Sequence, residues 1–164
     1  MDNTNYPHRK RIRLPNFDYS SHSVYYLTVC TKDRQPFLSS ISQSSDGEAI
    51  VHLTPQGIVV DQVIRRIPEV YKSVTLTSYM VMPDHIHLII GIGVQGESEG
   101  ECIEEKSISI PTIIKSLKRV SNKETGKDLW QDRYHDHVIR SMEELFTKIQ
   151  YVETNPLRYL LRTE

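Results

Sequence analysis

Two histidines separated by one isoleucine lie in an otherwise apolar run, Met82-Pro83-Asp84-His85-Ile86-His87-Leu88-Ile89-Ile90. The residues from His85 to Ile92 are typical of a strand, and the Pro-Asp pair ahead of them is typical of a turn. Because side chains alternate between the two faces of a strand, His85 and His87 share one face while Ile86 points into the core behind them. The pattern therefore predicts a sheet that buries one face and carries two neighbouring imidazoles on the other.

Two imidazoles are part of a metal coordination shell, and a catalytic ion would need a third protein ligand and open positions. The same pattern also fits a polar sheet surface that binds no metal. From the spacing of His85 and His87 alone, both interpretations stay open.

Hydrophobic periodicity predicts the other elements of the chain. The predicted strands are Val24–Thr31, Ser73–Met82, His85–Ile92 and Tyr134–Arg140, with a shorter extended piece at Ala49–Leu53. The predicted helices are Pro55–Ile67, Ile110–Thr125 and Met142–Asn155, the last ended by Pro156, and Ser39–Gly47 is predicted to be a loop. The order β, α, β, β, α, β and a final helix predicts an α+β fold. This is a ferredoxin-like split βαβ antiparallel sheet with its helices on one face, and 164 residues are enough for one such domain.

The final predicted helix carries polar groups beside an apolar stripe of Leu145, Ile149 and Val152. Lys148, Tyr151 and Asn155 share one side of it, and the last two are one turn apart. A phenol and an amide oxygen would therefore lie over the same point. The plainer interpretations are a core tyrosine and an asparagine that ends a helix before proline.

Charge is unevenly distributed along a chain whose formal net charge is −1. Five glutamates lie in the segment 93–108, and without that segment 19 Lys and Arg face 16 Asp and Glu. Basic residues concentrate in an N-terminal arm, residues 1–18, and in the helix predicted after the acidic segment. The candidates for phosphate contacts are Arg9, Lys10, Arg11 and Arg13 of the arm and Lys115, Lys118, Arg119 and Lys123 of the helix. Solvated surface is the alternative interpretation.

Four aromatic residues are candidates for stacking on nucleic-acid bases, with about half of them expected in the core: Tyr25, Tyr26, Tyr79 and Trp130. A second histidine pair, His135 and His137, flanks Asp136, and we expect it to be structural. Two cysteines, no apolar run of about 18 residues and no signal peptide lead us to expect a cytoplasmic protein without a membrane span.

In combination, three segments resemble the single-tyrosine HUH transposases: MPDHIHLII, Leu129-Trp130-Gln131 followed by YHDHVIR, and YVETNPLRYL. The resemblance covers about Tyr19 to Leu160, within a catalytic domain expected at 19–164. The Asn155-Pro156 pair is more similar to the REP-associated branch than to the insertion-sequence branch. The resemblance implies that His85, His87 and Asn155 bind a divalent metal, Mg²⁺ or Mn²⁺, and that Tyr151 is the nucleophile.

The function implied is that of a metal-dependent transposase. It would bind single-stranded or hairpin DNA, nick it and transfer strands through a 5′-phosphotyrosine intermediate. Two alternatives stay open: a non-catalytic nucleic-acid-binding module on the same fold, and a metal-dependent phosphoesterase without a covalent intermediate. The resemblance also implies a bacterial-type, nucleoid-associated protein that acts as a monomer or as a homodimer.

Overall fold

A computed structural model of the chain describes residues 23–93 and 108–163. The strands are β1 (Ser23–Cys30), β2 (Ser39–Gln43), β3 (Ala49–Leu53), β4 (Val74–Val81), β5 (His85–Ile92) and β6 (His135–Ile139). The helices are α1 (Pro55–Arg65), the single turn α2 (Ile67–Val70), α3 (Ile110–Thr125) and α4 (Met142–Thr163). Within these ranges no helix combines the length and the apolar character needed to cross a membrane.

Four strands form one antiparallel sheet in the order β4-β5-β1-β6. This is the strand order of a split βαβ fold, so the predicted α+β class and its ferredoxin-like sheet are confirmed. The predicted hairpin of β4 and β5 is also present. Its register places His87 opposite Thr28 of β1, with His85 opposite Cys30. The two histidines therefore lie on a central strand, near one end of the sheet.

The two faces of the sheet are covered differently. One face packs against α1 and α3 in an apolar core that includes Leu27, Ile86 and Leu88. The opposite face is covered by α4, whose Val152 packs with Ile89 and Ile139. The helices of the split βαβ unit share one face, as expected, and the last helix lies on the face that carries the histidines.

The first helix, α1, begins where its sequence predicts. Thr54 is its N-cap, and the Thr54 Oγ1 accepts a hydrogen bond of 3.0 Å from the backbone N–H of Gly57. A Cβ at Gly57 would lie 1.8 Å from the carbonyl oxygen of Leu38, so only glycine allows the helix to approach the backbone of Leu38 so closely. The helix ends at Arg65, two residues before the predicted end, and α2 follows as a separate turn.

The loop predicted at Ser39–Gly47 is wrong for its first half. Ser39–Gln43 is strand β2, and it pairs with β3 in a two-stranded hairpin that joins Ser39 to Leu53. Gly47, with φ of 84°, turns the chain between the two strands. The serine-rich sequence does not favour a strand by its own β propensity, and pairing with β3 stabilises the strand instead.

The final helix continues beyond the predicted stop at Pro156. It extends to Thr163 with Pro156 inside it, although a proline removes one backbone hydrogen bond and crowds the preceding turn. This helix packs against β4 and against the β2–β3 hairpin. These tertiary contacts outweigh the local preference for a break, and they add two further turns of helix beside the histidine strand.

Candidate active site

His85 and His87 lie on the face of β5 that α4 covers. His87 is buried, with 4% of its surface exposed, and the side chain of His85 is 12% exposed. Their Nε2 atoms are 3.0 Å apart, and the two rings are in edge contact. Two nitrogen lone pairs at this distance repel, so a proton or a cation must lie between them.

Each imidazole is held by its other ring nitrogen. The Nδ1–H of His85 donates to Oδ1 of Asp84 at 2.6 Å, which leaves the lone pair on Nε2. His87 Nδ1 lies 2.9 Å from the Tyr26 hydroxyl and 3.0 Å from Oγ1 of Thr28. Because a hydroxyl can donate or accept, these partners suit either tautomer of His87. His85 is therefore fixed in one tautomer, whereas His87 can adjust.

Burial keeps both rings neutral. It lowers the pKa of His85, against the opposing effect of Asp84. It also lowers the pKa of His87 to about 3, and the positive charges of Arg34 and Lys148 act in the same direction. Neutral imidazoles offer lone pairs, and lone pairs are what a metal ion requires.

Asn155 and Tyr151 come to the same place from α4. Asn155 is buried, and its Nδ2 lies 2.9 Å from His87 Nε2. A half-turn of the amide would present Oδ1 to the same point. The Tyr151 ring is in edge contact with the ring of His87, with centroids 5.7 Å apart, and with the ring of Tyr26 at 6.3 Å. The structure thus brings together the four residues that the sequence singled out.

These residues line one open pocket of about 430 Å³. Arg34 and Arg162 also line it, and two further cations lie over aromatic rings of the site: Arg158 at 5.2 Å from Tyr151, and Lys148 at 4.7 Å from Tyr26. Sequence reasoning missed a group of pocket residues, namely Thr28, Arg34, Asp84, Tyr159 and Arg162. Alternation along β1 puts Thr28 on the same face as Tyr26, but it does not contain the register that pairs Thr28 with His87.

The pocket residues fit a divalent cation. Two nitrogen ligands about 2.1 Å from one ion are about 3.0 to 3.4 Å apart, and the Nε2 atoms of His85 and His87 are separated by 3.0 Å. In the described parts of the chain, no three His, Cys, Asp or Glu side chains form a group that could hold a metal. The third protein donor available at this point is therefore the amide of Asn155.

The predicted phosphate-contact residues lie elsewhere. Lys115, Lys118, Arg119 and Lys123 are on α3, which packs on the opposite face of the sheet. The ammonium of Lys118 donates to the backbone carbonyls of Gln131 and Asp132, at 2.6 and 3.1 Å. Arg9, Lys10, Arg11, Arg13 and the five glutamates of the segment 93–108 fall outside the described residues. The roles predicted for these cations stay predictions.

The aromatic candidates divide between the core and the pocket. Tyr25 and Trp130 are buried in the apolar core, and Tyr79 donates to Asp61 at 2.8 Å on the side of α1. Tyr26 is the one of the four that reaches the histidines. In the second histidine pair, His137 is hydrogen-bonded to Glu144 at the start of α4.

Three comparisons place the chain among known proteins. A family model described as "Transposase IS200 like" matches residues 19–155. An "Uncharacterized protein" of Haemophilus influenzae is 27% identical over 167 residues, which cover 92% of this chain and 89% of that protein. A solved structure of a REP-associated tyrosine transposase bound to a REP hairpin has the same fold, with a TM-score of 0.60 and 18% identity. That similarity covers 90% of this chain and 74% of the other. Because the family model spans most of the sequence, the chain belongs to the family of IS200-like transposases.

Proposed function

We propose that this transposase is a metal-dependent enzyme that nicks single-stranded or hairpin DNA and transfers the strand through a phosphotyrosine on Tyr151. The observation that carries the proposal is the convergence of Tyr151, Asn155 and two neutral histidines in one pocket. A phenol next to a set of metal-binding donors matches the requirements of phosphoryl transfer with a covalent intermediate.

The proposed substrate follows from charge and from the related fold. Arg34 and Arg162 line the pocket, while Lys148 and Arg158 lie over the rings of Tyr26 and Tyr151. These four cations outnumber the carboxylate of Asp84, which lines the same pocket and pairs with Arg34, so the opening attracts a phosphodiester backbone. The solved structure of similar fold is bound to a REP hairpin, which supports a hairpin or single strand as the DNA form. Cations of the N-terminal arm and of α3 would bind flanking DNA.

His85, His87 and Asn155 would hold the divalent ion. When bound there, Mg²⁺ or Mn²⁺ would supply Lewis-acid stabilisation to the charge on the scissile phosphate. Two imidazoles and one amide oxygen favour Mn²⁺ by ligand softness, and Mg²⁺ is the more available ion in cells.

Tyr151 would act as the nucleophile. Its phenolic oxygen attacks the scissile phosphorus, the bond from phosphorus to the 3′ oxygen breaks, and a 5′-phosphotyrosine forms. The phenolic proton passes to solvent, and the leaving 3′ oxygen takes up a proton to become a free 3′-OH. The new ester keeps the energy of the broken bond, so a 3′-OH can later reverse the step. His87 and Tyr26 hold the phenol ring by edge contacts, which limits the orientations from which it attacks.

A gel assay for covalent adducts with a short hairpin oligonucleotide and Mn²⁺ or Mg²⁺ tests the proposal. We expect an adduct with the wild-type chain and none with Tyr151→Phe, which should still bind the DNA. The matched control is Tyr159→Phe, because Tyr159 lines the same pocket on the same helix. Tyr134→Phe is a second control, on a tyrosine that packs against the core of the other face.

Each alternative function has its own outcome in this assay. Cleavage without an adduct would indicate a phosphoesterase, and binding without cleavage would indicate a non-catalytic module. An adduct that persists in Tyr151→Phe and disappears in Tyr159→Phe would move the nucleophile two turns along α4.

Because one chain supplies both Tyr151 and the histidines, we expect a monomer to be sufficient. A mixture of the Tyr151→Phe and His87→Ala variants should then be inactive. Activity of the mixture would instead indicate a homodimer that acts in trans.

A further inference from the structure

Asp84 stands out among the pocket residues because three groups fix it in place. Its carbonyl oxygen accepts hydrogen bonds from the backbone N–H of Thr31 at 2.9 Å and from the Thr31 hydroxyl at 3.0 Å. Its Oδ2 pairs with Nε of Arg34 at 2.9 Å, and its Oδ1 accepts from His85 Nδ1 at 2.6 Å. Both the main chain and the side chain of Asp84 are therefore held, although this residue belongs to a turn.

The chain accepts local backbone strain to place Arg34 there. Asp33 and Arg34 have φ values of 52° and 55°, in the left-handed region that residues other than glycine rarely adopt. This turn directly follows β1, and the backbone N–H of Arg34 donates to the carbonyl of Thr31 at 3.1 Å. Strain of this kind persists where surrounding contacts enforce it, and it is concentrated at functional sites. Here the strained turn carries the guanidinium to Asp84.

We propose that Asp84 is a positioning residue. Thr31 anchors its main chain and Arg34 pairs with its carboxylate. The carboxylate holds the His85 imidazole with its proton on Nδ1 and its Nε2 lone pair toward His87, ready for a divalent cation. This inference rests on the proposed metal site. A carboxylate that accepts the second N–H of a metal-binding histidine fixes the tautomer and the ring orientation, and it raises the basicity of the ligand.

The two rings differ in the partner of Nδ1: a carboxylate at His85 and two hydroxyls at His87. The hydroxyls beside His87 can donate or accept, so they leave its tautomer free. A carboxylate can only accept, so Asp84 requires a proton on His85 Nδ1. His85 is then the ligand whose tautomer is fixed in advance, whereas His87 changes its tautomer when an ion binds.

The molecule contains a matched control for this carboxylate. Asp61 pairs with Nε of Arg65 at 2.9 Å and accepts from the Tyr79 hydroxyl at 2.8 Å, and its side chain is 18% exposed, as is that of Asp84. Asp61 belongs to α1, so it lies away from the histidine pocket. Asp61→Asn therefore removes a similar ion pair without touching the site.

Two measurements on the full chain without DNA test the inference. Manganese affinity is read by electron paramagnetic resonance, and the histidine tautomers of the metal-free protein are read by nitrogen-15 NMR. We expect Asp84→Asn and Asp84→Ala to weaken Mn²⁺ binding by about 10- to 100-fold. We also expect these variants to add a population of His85 with its proton on Nε2. Asp61→Asn should leave both results within about twofold of wild type.

A purely structural role for Asp84 would give a different result. Asp84→Asn and Asp61→Asn would then lower the melting temperature while Mn²⁺ affinity and the His85 tautomer stayed at wild-type values, and this result would overturn the inference. A His85→Ala variant separates the two proposals. If it binds Mn²⁺ as tightly as wild type, the proposed metal site is wrong, while the tautomer of His85 in metal-free wild type still reports whether Asp84 holds the ring.

Discussion

The sheet carries two His-x-His pairs on the same face, and their surroundings are opposite. His85 and His87 lie on the inner strand β5, whereas His135 and His137 lie on the edge strand β6. Thr28 of β1 is paired with His87 on one side and with His135 on the other, so these two histidines occupy one row of the sheet. His87 is buried under α4, and His135 is exposed.

The neighbours of each pair explain the difference. Asp84, Thr28 and Asn155 surround the first pair with partners that hold each ring and face its Nε2 atoms. In the second pair, His137 is half exposed and bonds to Glu144, a residue at the start of α4. Two histidine pairs with the same spacing on the same face of the sheet therefore form a candidate metal site at one position and a helix contact at the other. The decisive factors are the position of the strand in the sheet and the path of α4.

The largest expected effect comes from removing ligands at each pair in turn. His85→Ala or His87→Ala should lower metal-dependent cleavage of a hairpin oligonucleotide by at least about 100-fold, because loss of an outer partner alone typically costs 10- to 100-fold. The double variant His135→Ala with His137→Ala should cleave within about twofold of wild type. Equal losses at both pairs would show that the edge pair also takes part in the reaction.

The core-facing neighbours of the two histidine pairs should differ in their effect on stability. Ile86 is fully buried in the core of an inner strand, so Ile86→Ala should lower the free energy of unfolding by about 2–5 kcal/mol. Val138→Ala on the edge strand removes fewer methyl groups from the same core and should cost about 1–2 kcal/mol. Urea denaturation at neutral pH measures both values. A larger loss at Val138 would contradict the view that β5 is the better supported strand.

Acid should destabilise the metal-free protein through the buried pair. The pKa of His87 is 6.5 in the unfolded chain and about 3 in the folded chain. Below pH 6.5 the unfolded chain therefore binds a proton that the folded chain does not bind. Stability is then full above pH 6.5 and falls by about 1.4 kcal/mol per pH unit for this group as the pH drops toward 3. Urea titrations in the presence of a chelator should show a shallower fall for His87→Gln than for wild type, and identical slopes would argue against a buried neutral His87.

Local patterns predicted the parts of the site that lie on single elements. Alternation on a strand placed His85 and His87 on one face, and helical spacing placed Tyr151 beside Asn155. The partner Thr28 depends on the register of β1 against β5, which no local pattern contains. Arg34 reaches Asp84 through a left-handed turn that its own residue types disfavour.

The boundaries that sequence reasoning missed have the same physical origin. A helix stop at Pro156 follows from local sterics, yet α4 continues because β4 and the β2–β3 hairpin support it. The fold class was predictable because it depends on the order of elements. The extended α4, which brings Tyr159 and Arg162 to the pocket, was not, because it depends on contacts between elements distant in sequence.

The smallest expected effect concerns the contact that His137 of the edge strand makes with α4. Glu144 accepts hydrogen bonds from the backbone N–H of Arg140, at 2.9 Å, and from His137, and these contacts lower the pKa of its carboxyl. The stabilisation that the Glu144 carboxylate contributes is therefore present above pH 4.5, its ordinary pKa, and is lost as the pH falls through the lowered pKa. Glu144→Gln should cost below about 1 kcal/mol at pH 7, since its side chain is partly exposed.

Glu143→Gln is the matched control for this last prediction, because Glu143 is in the same first turn of α4 and is exposed. Thermal unfolding at pH 7 should show a smaller loss for Glu143→Gln than for Glu144→Gln, and DNA cleavage should be unchanged by both. If Glu144→Gln lowered cleavage without lowering stability, the edge pair would act on the reaction rather than on the helix. The two histidine pairs would then differ in burial, while both would contribute to the reaction.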